Sequence, residues 1–413
     1  MTSTIPDALA EPVQRVRAGW ITALAVGMAG VWAVHSGPVQ VLLLVQAEQF
    51  APAHKEGLFG LTTAVGGLFG MVATILVGFA SDRTTSRFGR RRPWVLASAV
   101  LGALSLLALA GAGSAAVMIL AWCGVQTAFG GMLAALLAAI PDRVPVAQRG
   151  LVGGWVGLGQ TVGALVGALV ATTVKPAFSG YLVLAVLLLA CALPFTLRTA
   201  EPVLRPDQRP PGGLAEVLRG FAISPRRHPD FAWALLNRLL VTLGFVLGTL
   251  YTLFLLQDVL HRVDPHADLL LLNLLNAAIM VPASVLAGGL SDRAGKRRVF
   301  IFVAALMVTL SSAMLVVTIS WPVLVISAAV LAASYGAFVA VDTALLTEVL
   351  PAAEHRAKDL GIVNLAHGLP QVIAPLLATP ILAGFGGYPG LFAVSAALSL
   401  IGAFVIFKIR RVP

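Results

Sequence analysis

Charge is scarce in this chain. Asp, Glu, Lys and Arg make up 11% of its 413 residues, and 58% are apolar, whereas a soluble domain carries about 25% charged residues. So few charges cannot cover a water-exposed surface of this size, and lipid must solvate most of the fold. Cysteine is nearly absent: Cys123 and Cys191 both fall inside apolar runs and read as small packing residues rather than as a disulfide or a metal site. Catalytic constellations are missing too. No paired aspartates within one apolar run, Ser–His dyad or His-Glu-x-x-His helix occurs, and His35 and His367 have no carboxylate at metal-ligand spacing, so neither an enzyme nor a resident cofactor is expected. The pair Gly295-Lys296 sits where a phosphate-binding loop would need Gly at 290 and Ser or Thr at 297. Leu290 and Arg297 stand there instead, which excludes ATP-driven transport.

What the chain does have is apolar length. A spanning helix needs about 20 mostly apolar residues, and that rule yields twelve candidates, near 19–46, 57–80, 94–112, 115–140, 150–174, 179–198, 229–257, 267–290, 299–319, 322–350, 360–384 and 387–409. The first run is too long for the ~7–15-residue core of a signal peptide and is expected to remain as a span. The one long polar segment, 199–228, is rich in Pro and Gly, and its Leu214, Val217, Leu218 and Phe221 recur at the spacing of a short surface helix. The expected organisation is therefore a six-helix bundle over 1–198, a linker over 199–228 and a second six-helix bundle over 229–413.

The formal net charge of +10 invites a nucleic-acid partner, but the distribution of the bases argues otherwise. With the N-terminus in the cytoplasm, 24 of the 28 Lys and Arg fall in the termini, the linker and the connections on the same side; Lys55, Lys175 and Arg262 fall on the other, and Arg238 lies within a span. This is the positive-inside pattern of a multi-pass protein of the cell membrane with both termini cytoplasmic, and the lipid bilayer is its partner, with no nucleic acid.

The chain is also one design written twice. Gly78-Phe-Ala-Ser-Asp82-Arg83 is followed by Gly89-Arg90-Arg91-Arg92, and Gly288-Gly-Leu-Ser-Asp292-Arg293 by Gly295-Lys296-Arg297-Arg298; the two aspartates are 210 residues apart, as are two prolines read as loop residues, Pro141 and Pro351. The second copy resembles the signature loop between helices two and three of the major facilitator superfamily, repeated between helices eight and nine. The first copy, Ser81-Asp82-Arg83-Thr-Thr-Ser-Arg87-Phe88-Gly89-Arg90-Arg91-Arg92-Pro93-Trp94, is four residues longer between its Asp and Gly. It resembles the loop of the glycoside–cation symporters and sucrose-type carriers within that superfamily. The resemblance implies an all-α membrane protein of twelve helices in two pseudo-symmetric bundles, acting as a monomer. It also implies a cytoplasmic gate made by Gly78, Asp82, Arg83, Gly89, Arg90 and Arg91 and by Gly288, Asp292, Arg293, Gly295 and Lys296. In such a gate, glycines at the helix end permit close backbone approach, an aspartate beside a helix N-terminus gains from the macrodipole, and arginines fork onto carboxylates or last-turn carbonyls of the facing bundle. Arg92 and Arg298 fit the simpler role of topology-setting charges.

Ionisable groups inside spans are costly and mark function. Arg238 lies about nine residues into the seventh run and Asp342 about nine before the end of the tenth, which places both ~13 Å from the same face. They are expected to pair, either as a charge switch, in which protonating Asp342 or docking substrate releases Arg238, or as a structural lock. The positions 210 earlier are Met28 and Met132. His35, one turn after Trp32 and close to Pro38, is either a proton site or a neutral imidazole bonded to a neighbouring helix. Gln40, Gln126, Gln160, Asn237, Asn273, Asn276, Asn364, His367, Gln371 and Tyr335 can serve a hydroxylated substrate or hold helices together; Gln126 and Tyr335 rank first. The fifth run carries glycines at 153, 154, 157, 159, 163 and 167, a small-residue pattern for close helix packing. It lacks the proline-bearing motif of the superfamily's drug antiporters. Pro370, Pro375 and Pro380 are expected to bend the eleventh. The reading is a secondary active transporter working by alternating access, with protons driving uptake of a sugar or glycoside. The alternative is a proton-coupled exporter of a drug or secondary metabolite.

Overall fold

The computed structural model describes residues 12–199, 201, 203–204, 229–348, 356–384 and 386–409, and of residues 146–147, 347–348 and 356–367 it describes the backbone alone. Twelve helical segments follow one another among the described residues: α1 (Ala18–Phe50), α2 (Lys55–Asp82), α3 (Arg92–Ala110), α4 (Ala115–Arg143), α5 (Val146–Thr173), α6 (Ala177–Arg198), α7 (Pro229–Val259), α8 (Pro265–Ala294), α9 (Arg297–Val317), α10 (Trp321–Glu348), α11 (Arg356–Gly384) and α12 (Gly387–Val405). Eleven of these are long and apolar enough to cross a membrane, and in α11 the apolar stretch is Gly368–Gly384. No strand occurs among the described residues. In lipid this is the expected economy, since a helix satisfies its backbone polar groups internally.

Local sequence explains the helix ends. Ser114 accepts from the amide of Val117 at the start of α4, and Asp264 from that of Ala267 at 3.0 Å at the start of α8; both are side-chain N-caps. Gly89 and Gly295, the glycines of the repeated loop, have φ of 95° and 62°, a left-handed backbone that a side chain would strain. α1 and α7 each contain a π-turn, Pro38–Leu42 and Leu255–Val259. At Pro38 the missing amide hydrogen disrupts the regular ladder, and Gln40 lies in that turn.

Contacts divide the chain into two compact units, Met1–Leu58 with Val65–Leu214, and Phe59–Ala64 with Ala215–Pro413. In the first, α1 packs on α5 and α6, and α3 on α4 and α6; in the second, α7 packs on α11 and α12, and α9 on α10 and α12. The α1–α5 seam uses part of the glycine pattern. A Cβ at Gly159, Gly163 or Gly167 would collide with the carbonyls of Ala25, Ala29 and Ala33 in turn, whereas Gly153, Gly154 and Gly157 face open space. One face of α5 is thus a groove that admits the backbone of α1.

Several expectations are corrected here. Pro141 is not in a loop: it lies in the last turn of α4, and Arg149 and Gly150 are already in α5. Pro351, the Leu214–Phe221 segment and nearly all of the 199–228 linker lie outside the described residues. Pro370, Pro375 and Pro380 all lie inside α11, the placement that a proline-induced bend requires.

Candidate functional site

Three clusters of polar side chains stand out. The first is the loop between α2 and α3. Arg91 is its hub: Nη1 donates to Ser81 Oγ at 2.6 Å, Nη2 to Asp82 Oδ1 at 2.5 Å and Nε to Asp142 Oδ2 at 2.8 Å. Arg90 Nη2 pairs with Asp142 Oδ1 at 2.5 Å. Glu201, just past α6, accepts from the backbone amides of Arg91 (2.8 Å) and Arg92 (3.4 Å), and Arg92 Nε donates to the carbonyl of Thr196 at 2.5 Å. Trp94 Nε1 donates to Thr84 Oγ1 at 2.8 Å and closes the loop upon itself. The guanidinium of Arg83 lies over the Phe79 ring, 3.9 Å from its centroid. Burial pulls Arg91 towards losing its proton, but Asp142 and Asp82 outweigh it and its pKa rises. Burial pushes the Glu201 carboxyl up from its usual value, against the pull of the two amides and Arg91.

The second copy of the loop is sparser. Asp292 pairs with Arg297 at 3.2 Å, while Arg293 and Lys296 are exposed and have no ion pair among the described residues. Aligned on the left-handed glycine, Arg297 is the counterpart of Arg91. The base that pairs with Asp292 is thus Arg297, which was not among the expected gate residues. Asp82 closes α2 and Asp292 lies in the last turn of α8, so the dipole of each aspartate's own helix opposes its charge, and an arginine compensates instead. Close backbone approach is not found at the helix-end glycines: nothing lies within 4 Å of a Cβ at Gly78, and at Gly288 only Ala340 does, at 3.8 Å. The partners of Arg90, Arg91 and Arg92 given above lie within their own unit. Asp142 and Glu201 were not anticipated. Their signal is that each is the first carboxylate in a connection that also carries arginines.

The second cluster lies between α1 and α4. His35 Nδ1 is 3.1 Å from Gln126 Oε1, the imidazole donating. The ring stacks on Phe129 with centroids 4.5 Å apart, and Trp32 meets both rings edge-on at 5.8 and 5.7 Å. The buried indole of Trp122 lies 6.3 Å from the imidazole. Trp32 stands three residues before His35 and Phe129 three after Gln126, so the contacts are rungs of one antiparallel seam. The indole nitrogens of Trp32 and Trp122 are enclosed without a partner.

The third cluster lies between α7 and α10. Arg238 Nη1 is 3.0 Å from Asp342 Oδ2, with side-chain exposures of 10% and 1%. Seven residues on along α7 and seven back along α10, Phe245 and Tyr335 stack face to face, with centroids 3.7 Å apart and planes at 9°. This too is a ladder, with a charged rung and an aromatic rung about two turns, ~10 Å, apart. Among the other polar candidates, Asn237 Nδ2 donates to the carbonyl of Gly402 at 2.8 Å and so ties α7 to α12. Gln40, Gln160, Asn273, Asn276 and Gln371 are partly buried and join none of the three clusters in the contacts above. The side chains of Asn364 and His367 lie outside the described set.

A family profile described as Major Facilitator Superfamily matches residues 40–281 and 264–413. Among solved structures, a POT family transporter in complex with 5-aminolevulinic acid superposes with a TM-score of 0.78 at 10% identity, over 97% of this chain and 98% of that one. A nucleoside transporter does so at 0.75 and 13% identity, over 94% and 98%. The human organic anion transporter structure gives 0.70 at 17% identity, over 95% and 100%. Likeness at such identity carries the fold and not the cargo.

Proposed function

The chain belongs to the major facilitator superfamily and is a multi-pass membrane transporter of small solutes, and we propose that it is a secondary active carrier that takes up a sugar or glycoside together with a proton by alternating access. In this reading it lies in the cell membrane with both termini in the cytoplasm. Its two halves are the bundles 1–198 and 229–413, joined by the 199–228 linker. The observation that carries the proposal is the enclosed Arg238–Asp342 pair. A buried ion pair is a poor source of stability, because desolvating two charges offsets their attraction, so its place within apolar helices asks for another use. Protonating Asp342 discharges the pair, releases Arg238 and alters the α7–α10 seam. His35 and Gln126 then supply polar contacts for hydroxyl groups, and the faces of Trp32 and Phe129 suit the apolar side of a sugar ring. The loop residues Asp82, Arg83, Gly89, Arg90 and Arg91 and their counterparts Asp292 and Gly295, with Arg297 as the pairing base, act as the cytoplasmic latch.

The test is uptake of a panel of labelled sugars and glycosides into proteoliposomes under an imposed proton gradient. Asp342→Asn is expected to lose gradient-driven accumulation and keep exchange; undiminished accumulation in that variant refutes the coupling. The second reading, proton-coupled export of a drug or secondary metabolite, draws on the aromatic surround of His35, which suits an amphipathic planar cargo. It is separated from the first by resistance profiles on overexpression.

A further inference from the structure

This inference rests on the transporter reading and narrows its substrate class. A guanidinium carries five N–H donors in a planar fork, and Arg238 uses almost none of them. Its Nη1 faces Asp342 at 3.0 Å but is enclosed without a well-formed hydrogen bond. No described residue accepts from Nε or Nη2. On the other side of the pair, Asp342 is 1% exposed, and its Oδ1 has no donor among the described residues. One turn on from Arg238, the enclosed hydroxyl of Thr242 is within reach of Tyr335. The nearest amide oxygen does not fill the fork either, since Asn237 Oδ1 is itself enclosed without a partner. Tyr335 is the other titratable group that senses the pair. The remaining charges of α7, α8, α9 and α10 sit in the end turns of those helices.

The charge balance then decides what the fork is for. With both groups ionised the site is neutral. If Asp342 takes a proton while the cargo is a neutral sugar, a bare guanidinium is left within apolar helices, a state that costs several kcal/mol. If the cargo brings a carboxylate, the site holds Arg238 positive, Asp342 neutral and the cargo negative, and it stays neutral throughout. A carboxylate is also the group whose two oxygens match the fork. We propose that Arg238 anchors a carboxylate on the transported solute, and that Asp342 yields the arginine by accepting the co-transported proton. The cargo is then an anionic solute, a sugar acid or an acid glycoside. One proton enters with each carboxylate, is held on Asp342 and leaves with it, so the cycle moves no net charge.

The experiment uses the full chain in proteoliposomes and matched probes: glucose against glucuronate, galactose against galacturonate, and 4-nitrophenyl glucoside against 4-nitrophenyl glucuronide. Under an inward proton gradient, the acid of at least one pair is expected to accumulate about 10-fold over its neutral partner, a difference of one tenfold step in affinity. Imposing a 100 mV potassium–valinomycin potential is expected to change that accumulation less than 2-fold, whereas a neutral sugar carried with one proton would respond about 50-fold. Arg238→Lys, a point charge without the fork, is expected to keep a weakened preference. Because Arg238→Gln strands Asp342, the double variant Arg238→Gln with Asp342→Asn is tested beside it, with its thermal unfolding measured to show that it is folded. Read by counterflow exchange, which the loss of Asp342 is expected to spare, it should show no preference for the acid. Accumulation of the neutral sugars with a full potential response overturns the anion site and leaves the proton-coupled sugar carrier standing. A persistent acid preference in the folded double variant also overturns the site. Accumulation of neither member of any pair overturns both readings.

Discussion

Arg91→Leu is the most demanding perturbation of the loop between α2 and α3. The side chain is 4% exposed and serves three acceptors: Ser81, Asp82 and Asp142. These are not equal. The Asp82 side chain is 48% exposed, so water replaces most of what it loses and its share is that of a surface pair, about 0.2–1 kcal/mol. The Asp142 side chain is 18% exposed and keeps only Arg90 at 2.5 Å; losing a hydrogen bond to a charged group there costs about 1.5–3 kcal/mol. The expected total is about 3 kcal/mol, at the lower edge of the range for breaking one side of a buried pair. For a unit of this size that corresponds to a fall in Tm of about 6–12 °C. The chain supplies its own reporter, because its two cysteines, Cys123 in α4 and Cys191 in α6, belong to the same six-helix unit. A thiol-reactive dye in detergent therefore reads the unfolding of that unit. Since most of the cost is the stranded Asp142, adding Asp142→Asn to Arg91→Leu should return about 1–2 kcal/mol, and the two substitutions should be non-additive. An Arg91→Leu protein that melts within about 1 °C of the parent, or losses that simply add, would show that the network is decoration.

Glu201→Gln keeps an oxygen for the amides of Arg91 and Arg92 and removes a charge that burial disfavours. A carboxyl whose folded pKa is raised contributes stability below its unfolded pKa and loses it as pH climbs through the folded value. The variant should therefore equal or exceed the parent in Tm at neutral pH and converge with it on acidification, and a lower Tm at neutral pH would contradict this. Glu201→Ala, which loses the amide contacts, should cost about 1 kcal/mol. On the α1–α5 seam, Gly163→Leu should destabilise by about 3 kcal/mol or block folding, since the side chain would meet the Ala29 backbone. Gly157→Leu, facing open space, should stay within about 0.5 kcal/mol; equal melting temperatures would refute the packing assigned to that face. Gln126→Leu should leave His35 Nδ1 without its acceptor at a cost of about 1–2 kcal/mol, again read by dye-monitored unfolding.

The spans were legible because apolar length is a strong signal and needs no partner to be recognised. Arg238 and Asp342 were legible for the same reason inverted: a charge in an apolar run is conspicuous, and counting from the helix ends puts both at one depth. Phe245 and Tyr335 were harder, because an aromatic at helical spacing is ordinary packing until a second helix is laid against it. The loop shows a subtler limit. Repetition at 210 residues drew attention to residues present in both copies, and Asp142 and Glu201 have no such counterpart, since Ala352 and Arg411 stand at those offsets. Repetition alone did not single out the base of the second loop: the chain turns at the glycine, and the residue two past that turn, Arg297, is the one that reaches back to the carboxylate.

The two halves use the same pair of helices for different chemistry. α1 with α4 and α7 with α10 are equivalent elements, and His35 and Phe245 are 210 residues apart, as are Met28 and Arg238 and Met132 and Asp342. In the first unit the rung at His35 is polar, and the level at Met28 and Met132 is apolar and buried. In the second the order is reversed, with the ion pair at the Met level and the aromatic stack at the His level. Each seam thus keeps an apolar level whose packing does not depend on protonation, and concentrates its polarity about two turns away. A change of charge at Asp342 can therefore alter one rung while the Phe245–Tyr335 stack holds the helices in register. That is what a seam must do if its polar groups are to exchange partners repeatedly without the helices coming apart.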